Sequence, residues 1–467
     1  MKIIKKLISS ELRINMISGM VATLINIVTL VIAYPIYLHF LGYEQYGVWL
    51  ILSAILGFAQ IGNLGIGQAV MKLVAEEHGH GDLKSAQQYM TSAIVILLIS
   101  GFVVLAIIIF FKALIIELFN LSEENAKMAI WLLPYIACLS VYVFIVQAVN
   151  AILAGLGRMD LANYSQMCGR FVTVIIATIL LSLDMGIKAL LISSITSNVL
   201  IHAMSFAIIR RIAPVRIGRL HNISLLRMRR LLFFGSRVLG GTLLSLLLNP
   251  FNKLMISRYA SVASIPIYEI AYSASMQIRG LVEAGIRALI PEVSRIGVDL
   301  TEQAKARIRE IHRRCFSLIM CFALPAYTVL FLTVPFLLQI WLGNRLTESL
   351  PMILRIALVS SLLSLTCVPA YYILMGIGKV RHCFINHAIL GGTNVLLVLT
   401  FAWIDNGLTL AEVFISNTVG TLFSTIYVIR QKRKAIDQTV SSVNTSPVPT
   451  NEVSVYHREA SVTSSCL

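Results

Sequence analysis

Residues 266–291 read PIYEIAYSASMQIRGLVEAGIRALIP, a segment apolar enough to lie in a membrane that nevertheless carries Arg279, Glu283 and Arg287 in its middle and second half. At 100° per residue, steps of four drift by only about 40°, so these three side chains share one helix face with Tyr268, Tyr272 and Ser275. Ile270, Ala274, Leu281, Ala284 and Ala288 fall on the opposite face. An Arg at the centre of a bilayer costs about 2.5–3.5 kcal/mol even on the scale that penalises it least, so the charged face must look into a protein interior or a wet cavity. Two readings are open: an internal Arg–Glu–Arg ladder that holds helices in register, or a cationic site for an anionic substrate. Both require further helices around this one.

The composition supplies them. Hydrophobic residues make up 57% of the chain and charged residues 13%, with a mean hydropathy of +0.83, values that belong to a polytopic membrane protein and not to a soluble domain of this length. The seven cysteines are scattered, mostly inside apolar segments and without C-x-x-C spacing, and are read as buried thiols outside any metal or disulfide framework. No H-E-x-x-H, G-x-S-x-G or P-loop occurs and the nine histidines form no ligand cluster in sequence, so neither an enzyme, a metal site nor a cofactor is expected. The N-terminus opens with Lys2, Lys5, Lys6 and Arg13 before an apolar run too long for a signal-peptide core, which makes it a retained first membrane helix.

Windows of about 20 apolar residues, the length that crosses a ~30 Å hydrocarbon layer, fall at 16–41, 46–70, 91–116, 129–153, 163–183, 187–209, 231–256, 265–289, 317–342, 353–375, 384–404 and 408–429. Twelve crossings put both termini on one side. Of the 38 Lys and Arg, 29 lie in the N-terminal arm, the even-numbered loops and the tail, against six at the odd loops; Arg279, Arg287 and Arg355 lie inside predicted helices. By the positive-inside rule both termini are cytoplasmic. The net charge of +16 is thus distributed by membrane side, and nucleic acid is not an expected partner. The most basic loop, 210–237, interleaves eight arginines with Ile223, Leu225, Leu226 and Leu231 and reads as a linker with a short interfacial helix, or as a lipid-phosphate clamp.

The two halves repeat. Ile152-Leu153-Ala154-Gly155-Leu156-Gly157-Arg158 returns as Ile373-Leu374-Met375-Gly376-Ile377-Gly378-Lys379 at an offset of 221. Gly65-Ile66 and Asp82 return as Gly285-Ile286 and Glu302 at an offset of 220. Six crossings per copy make the copies parallel in topology, flanking a central cavity. The expected fold is an all-α integral membrane protein of twelve transmembrane helices in two six-helix bundles: 1–230 with its basic linker, 231–436, and a disordered cytoplasmic tail, 437–467. The G-x-G-[RK] pairs are read as tight turns with a basic anchor, since no strand precedes them.

Tyr34-Pro35-Ile36-Tyr37, Phe40-Leu41-Gly42, Tyr46-Gly47-Val48-Trp49 and Leu64-Gly65-Ile66-Gly67, followed by these repeated halves, resemble the bacterial polysaccharide-biosynthesis flippases, the O-antigen and capsule repeat-unit translocases of the multidrug/oligosaccharidyl-lipid/polysaccharide exporter superfamily. The resemblance covers about residues 10–430. It implies two lobes forming a V, alternating access, residence in the bacterial inner membrane, and a cargo of undecaprenyl-diphosphate-linked oligosaccharide. Membrane lipids, a polysaccharide polymerase and a chain-length regulator are the partners it suggests. Its motifs describe shape, so the site rests on the residues themselves. Arg presents a fork that meets phosphate oxygens bidentately; Arg279 is the first candidate, Arg287 the second, two turns nearer the cytoplasm, with Glu283 as their counter-ion. Lys253 and Arg355 toward the outer end are candidates equally explained by snorkelling to headgroups. Tyr268 and Tyr272 are candidates to stack on sugar rings, or else packing. A multidrug antiporter on the same scaffold predicts unpaired carboxylates; a lipid-linked sugar polymerase predicts a large external loop.

The orientation is testable in a cysteine-free background. Single cysteines at Glu44, Ser122 and Asp405 should react with an impermeant external thiol reagent, and cysteines at Asp82, Arg219 and Thr301 should not; external labelling at Arg219 would invert the topology.

Overall fold

The described parts of the twelve apolar windows fall mainly on helix in the computed structural model, which describes residues 10–212, 223–287 and 302–437. Away from water a helix is the way a single segment satisfies all its own amides, and no strand occurs among the described residues. The helices are α1 (Ser10–Ala59), α2 (Ile66–Gly79), α3 (Leu83–Phe110), α4 (Lys112–Leu118), α5 (Glu123–Gly155), α6 (Met159–Ser182), α7 (Ile187–Ile212), α8 (Leu225–Tyr259), α9 (Ser264–Arg287), α10 (Glu302–Leu318), α11 (Leu324–Leu342), α12 (Ser349–Gly376), α13 (Val380–Ile404) and α14 (Leu410–Asp437). The middle of the basic loop, residues 213–222, the segment 288–301 and the expected tail beyond Asp437 lie outside the described residues.

Nine stretches among the described residues are long and apolar enough to cross a membrane. One of them, Ile17–Asn63, holds the first expected crossing and most of the second. The helix breaks inside it at Gly42 (φ 67°, ψ −178°) and not at Pro35, because the left-handed region is open to glycine while a proline inside a helix leaves its own φ helical. The seventh and eighth expected crossings, α8 and α9, are not among the nine; in α9, Glu269, Arg279 and Glu283 interrupt the apolar run. The chain is a multi-pass membrane protein. Cys138 and Cys321 correct the reading of the cysteines: both are exposed on its surface.

The most apolar windows of α5 and α12 are 56% and 50% buried, against 22–28% for α3, α6, α7 and α13, which makes α5 and α12 the central helix of each half. Around α5 pack α2, α3, α6 and α7; around α12 pack α9, α11 and α14. The repeat is visible in their ends. α5 stops at Gly155 and α6 starts at Met159; α12 stops at Gly376 and α13 starts at Val380, 221 residues later. Both ends close in the same way: Gly157 (φ 83°) and Gly378 (φ 77°) take left-handed conformations, and the amides of Arg158 and Lys379 reach back to the carbonyls of Leu153 and Leu374 at 3.1 and 2.9 Å, the six-to-one bond of a Schellman cap. The expected tight turns are therefore C-caps. At the start of α3, Asp82 accepts the Ser85 amide at 2.9 Å, and this bond together with the Ser85 hydroxyl holds its carboxyl below the usual carboxylate range.

The halves meet at one end. Trp341 Nε1 donates to the Val31 carbonyl at 2.7 Å and the Tyr43 hydroxyl to the Arg345 carbonyl at 2.6 Å, while the Ser257 hydroxyl donates to the Phe119 carbonyl. A Cβ on Gly47 would stand 2.3 Å from the Val262 carbonyl oxygen, so α1 touches the turn between α8 and α9 with bare backbone. At the opposite end the first turns of α8 belong with the first half: Leu231 is wholly buried there with Met228 and Phe234 against it, and Arg227 pairs with Glu77 at 3.3 Å.

A side chain at Gly47 should part this closed end. With Ser257→Cys as a reporter in a cysteine-free background, Gly47→Val should raise its labelling from the side of the 260–263 turn several-fold, and Gly47→Ala by less; unchanged labelling would show that this contact does not hold the end shut.

Candidate functional site

Helix α9 folds as its sequence pattern dictates, and the charged stripe lands against a cavity of about 530 Å3 inside the second half. From α9 come Tyr272, Met276, Arg279 and Glu283; from α12 Ser360, Ser364, Tyr371 and Tyr372; from α13 Asn386 and His387; from α14 Asn417 and Thr421. Ser245 of α8 completes the wall. All the lining residues come from α8, α9 and α12–α14, so the site expected between the bundles is built by one of them.

Arg279 Nη2 stands 3.2 Å from Glu283 Oε2, with 27% of the Arg279 side chain and 16% of the Glu283 side chain exposed. The other Glu283 oxygen accepts a short hydrogen bond from the Tyr372 hydroxyl. Arg279 Nε is buried and has no partner among the described residues. A guanidinium carries five donors in a fixed fork, and a buried donor left unmade costs about 1–3 kcal/mol. The arginine is thus held by one edge and lines the cavity. The rest of the wall is cross-braced: His387 Nδ1 lies 2.8 Å from Ser245 Oγ and its Nε2 3.2 Å from the Tyr371 hydroxyl, and Ser360 donates to Asn417 Oδ1 at 3.0 Å. Such hydroxyls and amides suit a ligand rich in hydroxyl groups.

The other candidates are placed elsewhere or differently. Tyr272 lines the cavity, but Tyr268 is 1% exposed, stacked on Tyr272 at 5.7 Å, tilted against Phe414 at 5.2 Å and reached by Asn252 Nδ2 at 3.2 Å; it packs, and offers no face to a sugar. Lys253 is a correction too. It does not snorkel: it is 5% exposed and pairs with Glu269 at 2.8 Å, while Ser273 donates to the other Glu269 oxygen at 2.9 Å. Arg355 sends Nε to the Phe331 carbonyl at 3.0 Å and lies over that ring, away from the cavity lining. The side chain of Arg287 lies outside the described residues, so of the expected ladder the structure describes the Arg279–Glu283 step. Sequence reasoning missed Glu269, although a carboxylate in an apolar helix was a signal, and it missed Tyr371, Tyr372 and His387, for which no local signal existed. In the first half, Asn63 Nδ2 donates to Gln147 Oε1 at 2.6 Å.

The family model described as "Polysaccharide biosynthesis protein" matches residues 12–297. The chain belongs to that family. A Shigella flexneri protein named "Putative O-antigen transporter" is 21% identical over 352 residues, covering 74% of this chain and 80% of that protein. Among solved structures, a multidrug-resistance transporter of the MATE family and MOP superfamily in its inward-facing conformation superposes with a TM-score of 0.74 at 16% identity, covering 90% of this chain and 96% of the other. The outward-facing conformation of a MATE transporter of that superfamily gives 0.61 at 16% identity, over 91% and 96%. The lipid II flippase MurJ in an inward closed conformation gives 0.68 at 15% identity, over 88% and 87%. These likenesses show that the chain shares the fold of these transporters.

Removing one partner of a buried ion pair leaves an uncompensated charge at a cost of about 3–5 kcal/mol, whereas removing both is close to neutral. Lys253→Met should therefore lower the melting temperature in detergent markedly, and adding Glu269→Gln should restore most of it. Equal lability of the single and double variants would show that charge pairing is not what the site requires.

Proposed function

We propose that this protein flips undecaprenyl-diphosphate-linked oligosaccharide repeat units across the cytoplasmic membrane for surface polysaccharide assembly, by alternating access, with both termini cytoplasmic. The observation that carries the reading is Arg279: a partly exposed guanidinium held along one edge by Glu283, in a cavity walled by hydroxyls and amides. Membership of the polysaccharide biosynthesis family and the name of the Shigella relative support the cargo. The two proposed units, 1–230 and 231–436, rock about α8, whose first turns stay with the first half. With the end that carries the 260–263 turn shut, the state is the one that loads from the cytoplasm.

The empty site is close to neutral because Glu283 faces Arg279. A diphosphate arriving from the cytoplasm offers several acceptors, and Arg–phosphate pairs are favoured by two parallel charge-assisted bonds. Arg279 turns part of its fork from Glu283 to phosphate, and Tyr372 keeps its hydroxyl on Glu283, so the released carboxylate stays solvated by protein. Arg287 is the second cationic candidate on the loading side. When the cargo leaves on the far side, Glu283 recaptures Arg279 and the site closes without a naked charge in hydrocarbon. Efflux of a cationic drug needs a carboxylate free to receive it. Glu283 and Glu269, the two carboxylates that α9 carries, are both paired. A sugar polymerase needs room outside the membrane, whereas the described turns at the shut end, 119–122, 260–263, 343–348 and 405–409, are short.

Arg279→Ala should abolish surface polysaccharide, with at least about a hundredfold loss of transport in proteoliposomes, as expected for two lost charge-assisted bonds of about 1.5–3 kcal/mol each. Arg279→Lys should keep part of the activity, retaining charge without the fork. Normal flipping by the Ala variant would refute the cationic site, and disappearance of that variant from the membrane would favour a structural ladder.

A further inference from the structure

A quarter turn round α9 from the Arg279 stripe, Ile278, Val282 and Ile286 line up at steps of four, about 90° away at 100° per residue. They form one wall of a second cavity, a groove of about 410 Å3 whose other wall is Ile319, Phe322, Ala323, Ala326 and Tyr327. That wall begins on a π-helical turn, Ile319–Ala323, which joins α10 to α11. The floor is buried, with Ile319 at 0%, Tyr327 at 3% and Ala323 at 4%, while the rim residues Leu318 and Phe322 are 56% and 71% exposed. The groove is therefore a channel open to the lipid side. Its back adjoins the polar site: Tyr327 accepts a hydrogen bond from Ser361 at 3.2 Å, next in sequence to the cavity residue Ser360. One helix thus presents a guanidinium to a wet cavity on one face and an apolar slot on the next.

We propose that this groove holds the isoprenoid units nearest the diphosphate of the lipid carrier, so that the cargo straddles α9 with its headgroup at Arg279 and its tail lying out through the seam between α9 and α11 into the bilayer. The inference rests on the flippase reading and adds to it where the lipid goes. An amphiphile needs both environments within one molecule's reach, and here a cationic polar cavity and a lipid-open apolar groove lie on adjacent faces of one helix. Branched isoprene methyls suit a slot with small residues, Ala323 and Ala326, between larger walls, and burial of each methylene stabilises by about 0.8 kcal/mol.

The test is transport in proteoliposomes of one oligosaccharide diphosphate carried on two tails, undecaprenyl and a short prenyl too small to fill the groove. Ala326→Trp, which fills the groove from its rim, should slow the undecaprenyl form about tenfold and leave the short form at the parental rate. Equal slowing of both, or of neither, overturns the groove assignment. A parent protein that moves neither form overturns the flippase reading and the groove with it. Since the Trp variant can fail to fold, a photocrosslinking residue at position 326 of the otherwise natural chain gives a second readout. Radiolabelled undecaprenyl diphosphate should label it well above the same residue at Leu332, a lipid-facing position on α11 that is 67% exposed; equal labelling at both positions overturns the proposal.

Discussion

A guanidinium cannot sit in hydrocarbon, and that constraint organises the second half of the molecule. Arg279 lies in the middle of a helix whose length is that of a membrane crossing, so its face must be covered by other helices. Four helices cover it, and they bring a carboxylate, tyrosines, serines and amides instead of leucines. The same rule acts at Lys253, one helix back, where the answer is a pair with Glu269 and a serine hydroxyl. The two solutions differ in exposure. Lys253 is sealed, at 5%; the Arg279 side chain is 27% exposed and has a cavity in front of it. A sealed buried pair is weak evidence for anything but structure, and the pair that faces a cavity is where a ligand has something to add.

In the proposed cycle, binding and gating are divided along α9. Its first turns, with Ile265, Tyr268, Ile270 and Ala271, are sunk in the core that joins the halves at the shut end, while the middle turns face the polar cavity and the groove. A change in how tightly the middle of the helix is held is therefore delivered, through one rigid rod, to the surface where the halves meet. Close backbone contact there, as at Gly47 against Val262, makes the joint a fit that is either made or unmade, the kind of bistable element that a ligand can bias.

What was legible in the sequence is what local physics decides. Apolar length placed the helices, and glycine after a helix end placed the caps of α5 and α12, because a left-handed residue and a six-to-one bond need only neighbours. The angle of the α9 stripe was legible for the same reason. Which object a stripe meets was not. Tyr268 shares the stripe with Tyr272 and Arg279, yet one turn nearer the shut end Phe414 fills the space and the tyrosine packs. Lys253 read as a snorkelling side chain because Glu269 is on the next helix, across a turn, and nothing in a window of sequence says that two helices face each other there. Tyr372 and His387 lie about 90–110 residues from Arg279, so only the tertiary arrangement of α12 and α13 against α9 could bring them in.

The seam between the last two helices of each half shows what a duplicated bundle keeps. In the first half Gly169 of α6 lies against α7, its missing Cβ leaving room for Ile201, and Ser197 of α7 donates to its carbonyl at 3.0 Å. In the second half the corresponding seam has Gly420 of α14 against the carbonyl of Leu390 on α13, where a Cβ would stand only 2.7 Å away. Gly169 answers to Leu390 at the offset of 221 that relates the starts of α6 and α13, and Ser197 to Gly420 at the offset of 223 that relates the starts of α7 and α14. The small residue has changed sides. What the two copies share at this height is a close approach of the paired helices, and either helix can supply the gap that allows it. Divergence between the halves can then proceed by trading volume across a seam, leaving helix ends in step while the residues themselves lose nearly all resemblance.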